Sequence, residues 1–113
     1  MKKLAFIFAG LLLCLSTTVF ADEHTDAAMQ HANKAVEQGK AGKAPSVVEH
    51  AKLAMDHTQA ASITAKGVPL THINAATKSL GDAVDHGNLG HTEIATKAAE
   101  EAVEHLKAAA SSK

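Results

Sequence analysis

The sequence has no tryptophan, tyrosine or arginine, a single cysteine, Cys14, and only three phenylalanines, Phe6, Phe8 and Phe20. All four of those residues lie at the N-terminal end. Beyond Phe20 the chain has no thiol, which excludes a disulfide framework and a Cys-x-x-Cys-His haem attachment. The core must be built from Ala, Val, Leu, Ile and Met. The 113 residues allow one small domain, and alanine buries little apolar surface, so the folding margin of so short a chain is thin. Eleven lysines face twelve acidic residues, leaving no basic surplus of the kind a nucleic-acid partner requires.

The opening, "MKKLAFIFAGLLLCLSTTVFADE", reads as a secretory leader. Lys2 and Lys3 form its basic region, Leu4 to Phe20 its apolar stretch, and Val19-Phe20-Ala21 its cleavage site. The expected division is a cleaved signal, residues 1–21, and a mature chain, residues 22–113. Ser16, Thr17 and Thr18 interrupt the run, which is short for a membrane span. Leu13 stands before Cys14, where a lipoprotein signal needs a small residue. The expected destination is the periplasm, with no membrane attachment after cleavage.

Four segments of the mature chain align without gaps: "HANKAVEQG", "HAKLAMDHT", "SLGDAVDHG" and "AAEEAVEHL". The first and third lie 48 residues apart, as do the second and fourth, so a two-helix unit is duplicated. Heptad spacing makes each segment helical. Met29, Val36, Val48, Met55, Val84 and Val103 take position a. Ala32, Ala51, Ile73, Leu80 and Leu106 take d, and Ala28, Ala35, Ala54, Ala76, Ala83, Ala95 and Ala102 take g. The expected helices cover about 24–38, 45–62, 70–86 and 92–109. Gly39 and Gly87 are expected to cap the first and third, and Pro45 and Pro69 sit near helix starts. Short connections at "GKAG" and "GNLG" force antiparallel neighbours, and the longer "ASITAKGVPL" joins the hairpins. The fold class is all-α: an antiparallel up-down-up-down four-helix bundle from a duplicated helical hairpin.

All eight histidines lie in the mature chain, and all fall at heptad position c, beside g and off the core seam. Two histidines seven apart on one helix are separated by ~10 Å along the axis, too far to share an ion at bonds of ~2 Å. A chelate must therefore cross between helices. Folding the first hairpin about Gly39–Gly42 sets His24 against His57 and His31 against His50, while Gln38 meets Lys43. Folding the second about Gly87–Gly90 sets His72 against His105 and His86 against His91, while Ser79 meets Ala98. Pairing the first helix with the fourth would instead leave half-pairs, such as His31 against Ala98.

Each intact pair has a carboxylate just before at least one histidine: Glu23, Glu49, Asp56, Asp85 or Glu104. Such a group is either a third ligand, a partner that orients the imidazole, or simple surface charge. Two imidazoles, an optional carboxylate and water suit Cu(II), Ni(II) or Zn(II). The absence of thiolates, with Met29 and Met55 expected in the core, argues against a dedicated Cu(I) site. Cleavage after Ala21 would also create an Asp22-Glu23-His24 N-terminus. Its amine, two amides and imidazole offer a square-planar site for Cu(II) or Ni(II), in competition with the His24–His57 pair.

The heptad-spaced histidines and the stretches "VVEHAKLAMDHTQAA", "THINAATKSLGDAVDHG" and "HTEIATKAAEEAVEHL" make the chain resemble the periplasmic small metal-binding protein family. The resemblance implies a monomeric four-helix bundle that binds several divalent metal ions, copper foremost, as a scavenger or buffer. Ser79 and Ala98 stand where the family pattern has histidine, and Gln38 and Lys43 also lack it, which implies fewer ions per chain.

An enzyme is not expected. The residues three before each histidine are Ala21, Ala28, Val47, Ala54, Pro69, Ala83, Asn88 and Ala102, so no Glu-x-x-His di-iron motif exists. The chain also lacks a His-Glu-x-x-His zinc motif and a serine triad with its oxyanion loop. The competing reading is a helical structural or interaction protein whose histidine face senses pH near ~6.5.

Overall fold

Alanine-rich segments without internal proline favour long helices. The computed structural model describes residues 16–112, and most of the expected leader lies outside them. Among the described residues four helices follow one another: α1 (Ser16–Lys40), α2 (Ala44–Thr64), α3 (Gly67–Asn88) and α4 (Thr92–Ser111). Among the described residues no helix is long and apolar enough to cross a membrane. Each helix packs on two neighbours: α1 on α2 and α4, and α3 on α2 and α4.

The helices are longer than their heptad patterns. α1 begins at Ser16 and runs through the expected cleavage point, rather than starting near residue 24. α2 and α3 absorb most of "ASITAKGVPL", so Ala65 and Lys66 alone, both extended, separate them. The expected long connection is therefore a two-residue one.

Gly39 and Gly87 do not cap their helices. Both lie inside the final turn, and the left-handed residue that ends each is three positions later, Gly42 (φ 78°) and Gly90 (φ 77°). Lys43 N–H donates to the Gln38 carbonyl and Gly42 N–H to that of Gly39. His91 repeats this on His86, and Gly90 on Gly87. Both are Schellman caps, which satisfy the last carbonyls of a helix with backbone donors from just beyond it. Lys43 and His91 then open the next helices, their carbonyls accepting from Val47 and Ala95. Pro45 occupies the first turn of α2, where its missing N–H has no partner to lose.

Close approach is the reason for Gly39 and Gly87. A Cβ on Gly39 would overlap the Thr96 side chain of α4, and one on Gly87 would come within 2.6 Å of Val48 Cγ2 on α2. These contacts are related by the 48-residue repeat, since Gly39 corresponds to Gly87 and Val48 to Thr96. The duplication read in the sequence is thus a two-fold relation in the packing. The α2–α3 seam adds a hydrogen bond of 2.8 Å from the Thr77 hydroxyl to that of buried Thr58.

The core is rotated from the expected a/d seam toward g. All seven alanines at g and the five residues at d are buried, whereas of the six residues at a only Val48 and Val103 are, Met29, Val36, Met55 and Val84 being partly so. Met29 and Met55 are therefore flanking residues, not core. Position c lies ~40° from g around the helix, so the rotation draws the histidines inward. Seven of the eight are half-buried, His91 at the turn being exposed. Thirteen of the nineteen buried apolar residues described are alanines, in keeping with a thin hydrophobic margin.

Candidate metal centre

The g-face alanines let paired helices approach closely, and the c-face imidazoles line the groove this leaves. The histidines occupy the α1–α2 and α3–α4 grooves, while the Thr and Gly contacts occupy the other two. All four expected pairs form. Ring centroids are 5.1 Å apart for His24–His57, 6.1 Å for His31–His50, 5.8 Å for His72–His105 and 5.6 Å for His86–His91.

A ring nitrogen sits ~1.1 Å from its ring centre, so two rings bound at ~2.0 Å have centres ~4.4 Å apart at right angles and ~6.2 Å in line. Every pair falls inside that window. His24 Nδ1 lies 2.9 Å from His57 Nδ1, and His86 Nδ1 lies 3.4 Å from His91 Nδ1. Two ligands at ~2.0 Å stand ~2.8 Å apart in a square plane and ~3.3 Å apart in a tetrahedron, so both pairs are already at ligand spacing. Without an ion, each contact is a hydrogen bond in which one Nδ1–H donates and the other ring accepts.

His50 carries a ring nitrogen without a hydrogen-bond partner. Its Nδ1 is shielded from solvent and has no hydrogen bond, although the ring faces His31. A buried nitrogen lone pair or N–H without a partner is costly, and an ion on that nitrogen would remove the cost. The donor set, the spacing and this orphaned atom all fit a divalent cation.

The carboxylates are arranged differently. Glu23, Glu49, Asp56, Asp85 and Glu104 are all exposed, and no group of three or more His, Asp or Glu side chains gathers among the described residues at a point that could hold an ion. The structure brings imidazoles together in twos and leaves the acids in solvent. Asp22 is half-buried and lines an end cavity of about 530 Å³ beside Thr64 and Ile73. Within the unprocessed chain, Asp22, Glu23 and His24 are helical. A four-nitrogen site there requires cleavage, which would remove the carbonyls that pair with those amides.

Burial of the His57 ring, followed by the charges of His24 and His31, lowers its pKa below the ordinary imidazole value, with Asp56 opposing. A ring that resists protonation remains a ligand at lower pH.

One contact was not expected. His31 and His57 stack nearly parallel, 9° apart with centroids at 5.5 Å, closer than His31 stands to its own partner His50. In sequence these two belong to different pairs. The signal was present in helix geometry: side chains tilt toward the N-terminus of their own helix. In antiparallel helices His31 and His57 therefore lean toward each other, while His24 and His50 lean apart.

The model of the small metal-binding protein family matches residues 1–109 of this chain. No curated protein matches it.

Proposed function

The chain belongs to the small metal-binding protein family, and on that premise we propose that it captures divalent metal ions through cross-helix histidine pairs and acts in the periplasm as a monomeric scavenger or buffer. Cu(II) is the first choice. Imidazole sites follow the order in which Cu(II) exceeds Ni(II) and Zn(II), and the square-planar spacing at His24–His57 suits it. Ni(II) and Zn(II) are the further cargoes. The observation that carries this reading is that spacing: two ring nitrogens on different helices, 2.9 Å apart.

The chemistry is capture rather than turnover. Two neutral imidazoles replace water on the ion, and the remaining positions stay hydrated or take an anion. Because each pair needs only two rings and lies along an open groove, ions can enter and leave without unfolding the bundle. The leader supports an exported location, where free thiols do not compete for the cargo.

Native mass spectrometry of the protein purified from the periplasm, with Cu(II), Ni(II) and Zn(II) in turn, tests the proposal. It reads the N-terminus, the oligomeric state and the number of bound ions together. We expect a mature chain starting at Asp22, a monomer, and saturable binding of about one ion per pair. Absence of saturable binding at neutral pH would overturn the reading and leave a pH-responsive helical protein in its place.

A further inference from the structure

The two hairpins carry four histidines each, yet arrange them differently. In α1–α2 the pairs His24–His57 and His31–His50 are neighbours along the groove. In α3–α4 the pairs His72–His105 and His86–His91 are separated by Ser79 and Ala98, which are buried and offer no ligand between the pairs. The N-terminal lean of side chains creates one diagonal contact between successive pairs. In the first hairpin that diagonal is His31–His57. The repeat carries it to Ser79 and His105, where one ligand is missing. The other diagonals, Gln38–His50 and His86–Ala98, are likewise incomplete.

We propose that His31 and His57 form a metal site of their own, diagonal to the two expected pairs, so that the first hairpin is one continuous four-imidazole array and the second is two isolated sites. This rests on the metal-capture reading above. The diagonal centroid distance, 5.5 Å, lies inside the two-ring window and is shorter than that of the His31–His50 pair. Imidazole lone pairs lie in the ring plane, so both rings leave their parallel stack to direct a nitrogen at a common ion, and His57 gives up its contact with His24 Nδ1 if it uses that nitrogen.

The array has a consequence for how ions are held. An ion on the diagonal takes one ring from each neighbouring pair, so it excludes a second ion that needs both rings of either pair. At low load the hairpin holds one ion, with three ways to bind it. At high load the ion yields the diagonal and two ions take the two pairs. Movement between these arrangements exchanges one imidazole at a time, with water filling the vacated position. The ion therefore stays attached throughout. The second hairpin has no such route, because its pairs share no neighbour.

Two variants with the same number of histidines distinguish the cases. In a chain whose second hairpin is silenced (His72, His86, His91 and His105→Ala), His24→Ala with His50→Ala leaves only the diagonal. His31→Ala with His57→Ala leaves only the two rings that lean apart. Zn(II) is the probe, since it does not bind by displacing amide protons at neutral pH and so ignores the N-terminal site. Isothermal titration should find one Zn(II) per chain in the first variant and none in the second. Binding in neither, or equal binding in both, would overturn the diagonal site. Gln in place of Ala repeats the comparison with a side chain of similar bulk, and circular dichroism verifies that both variants are helical. Titration of the unaltered chain is the separate measure of the metal-capture reading: if that fails, the proposed function falls, whereas failure of the variants alone removes only the diagonal.

Discussion

At the scale of single residues, His57 is where environment most alters chemistry. Its ring lies between His24 and His31, and its pKa is held down by burial first and by those two imidazoles second, against the pull of Asp56. A histidine whose folded pKa is below its unfolded value stabilises the fold at pH above the unfolded value. That contribution is lost as pH falls through ~6.5 toward the folded pKa, because the unfolded chain takes up the proton more readily. The metal-free protein should therefore melt at progressively lower temperature from pH 7 to pH 5, and His57→Gln should flatten that slope in calorimetry. A slope unchanged by the substitution would mean that the acid sensitivity lies elsewhere. Position c and the pairing partners were legible from spacing and chain reversal alone. The exposure of Glu23, Glu49, Asp56, Asp85 and Glu104 was not, because adjacency in sequence does not place neighbouring side chains on the same face of a helix.

At the scale of elements, glycines divide into three kinds that look alike in sequence. Gly42, Gly67 and Gly90 adopt left-handed backbone, Gly39 and Gly87 admit a neighbouring helix, and Gly81 does neither, with open space where its Cβ would be. Gly39→Ala should lower stability by about 1–3 kcal/mol, through forced displacement of Thr96, despite the better helix propensity of alanine. Gly81→Ala should raise it by roughly 0.5–1 kcal/mol, since an interior helical glycine costs about that much and nothing obstructs the methyl group. Urea unfolding of the two variants checks both signs. A stabilising Gly39→Ala would mean that the α1–α4 contact is not tight. The expected caps were three residues early because heptad periodicity marks where apolar residues stop, while a helix continues until its carbonyls find other donors. The same Schellman turn sets His86 and His91 together, with a backbone bond of 2.8 Å between them.

At the scale of the whole molecule, a bundle cored largely by alanine gains little from each buried side chain, and cross-helix ligation is well placed to add what the core lacks. An ion that binds only the folded state adds roughly 2.7 kcal/mol per site at a hundredfold excess over its Kd. Excess Cu(II) or Zn(II) should therefore raise the melting temperature of the mature protein well above that of the metal-free form, and a chelator should reverse the shift. Melting curves that coincide with and without the ion would show that the histidine pairs do not clip the hairpins together.

The primary structure by itself determined the helical class, the duplicated hairpin and which histidine meets which across each turn. These follow from a period of 3.6 residues per turn and from chain reversal about a short connection, both local properties. Only the tertiary structure decided how deeply the rings sit, that the core turns from a toward g, and that the lean of His31 and His57, whose direction helix geometry already gives, brings them closer than His31 and His50. Those outcomes depend on the packing of alanine faces and on side-chain tilt at the final helix separation, which no single helix specifies.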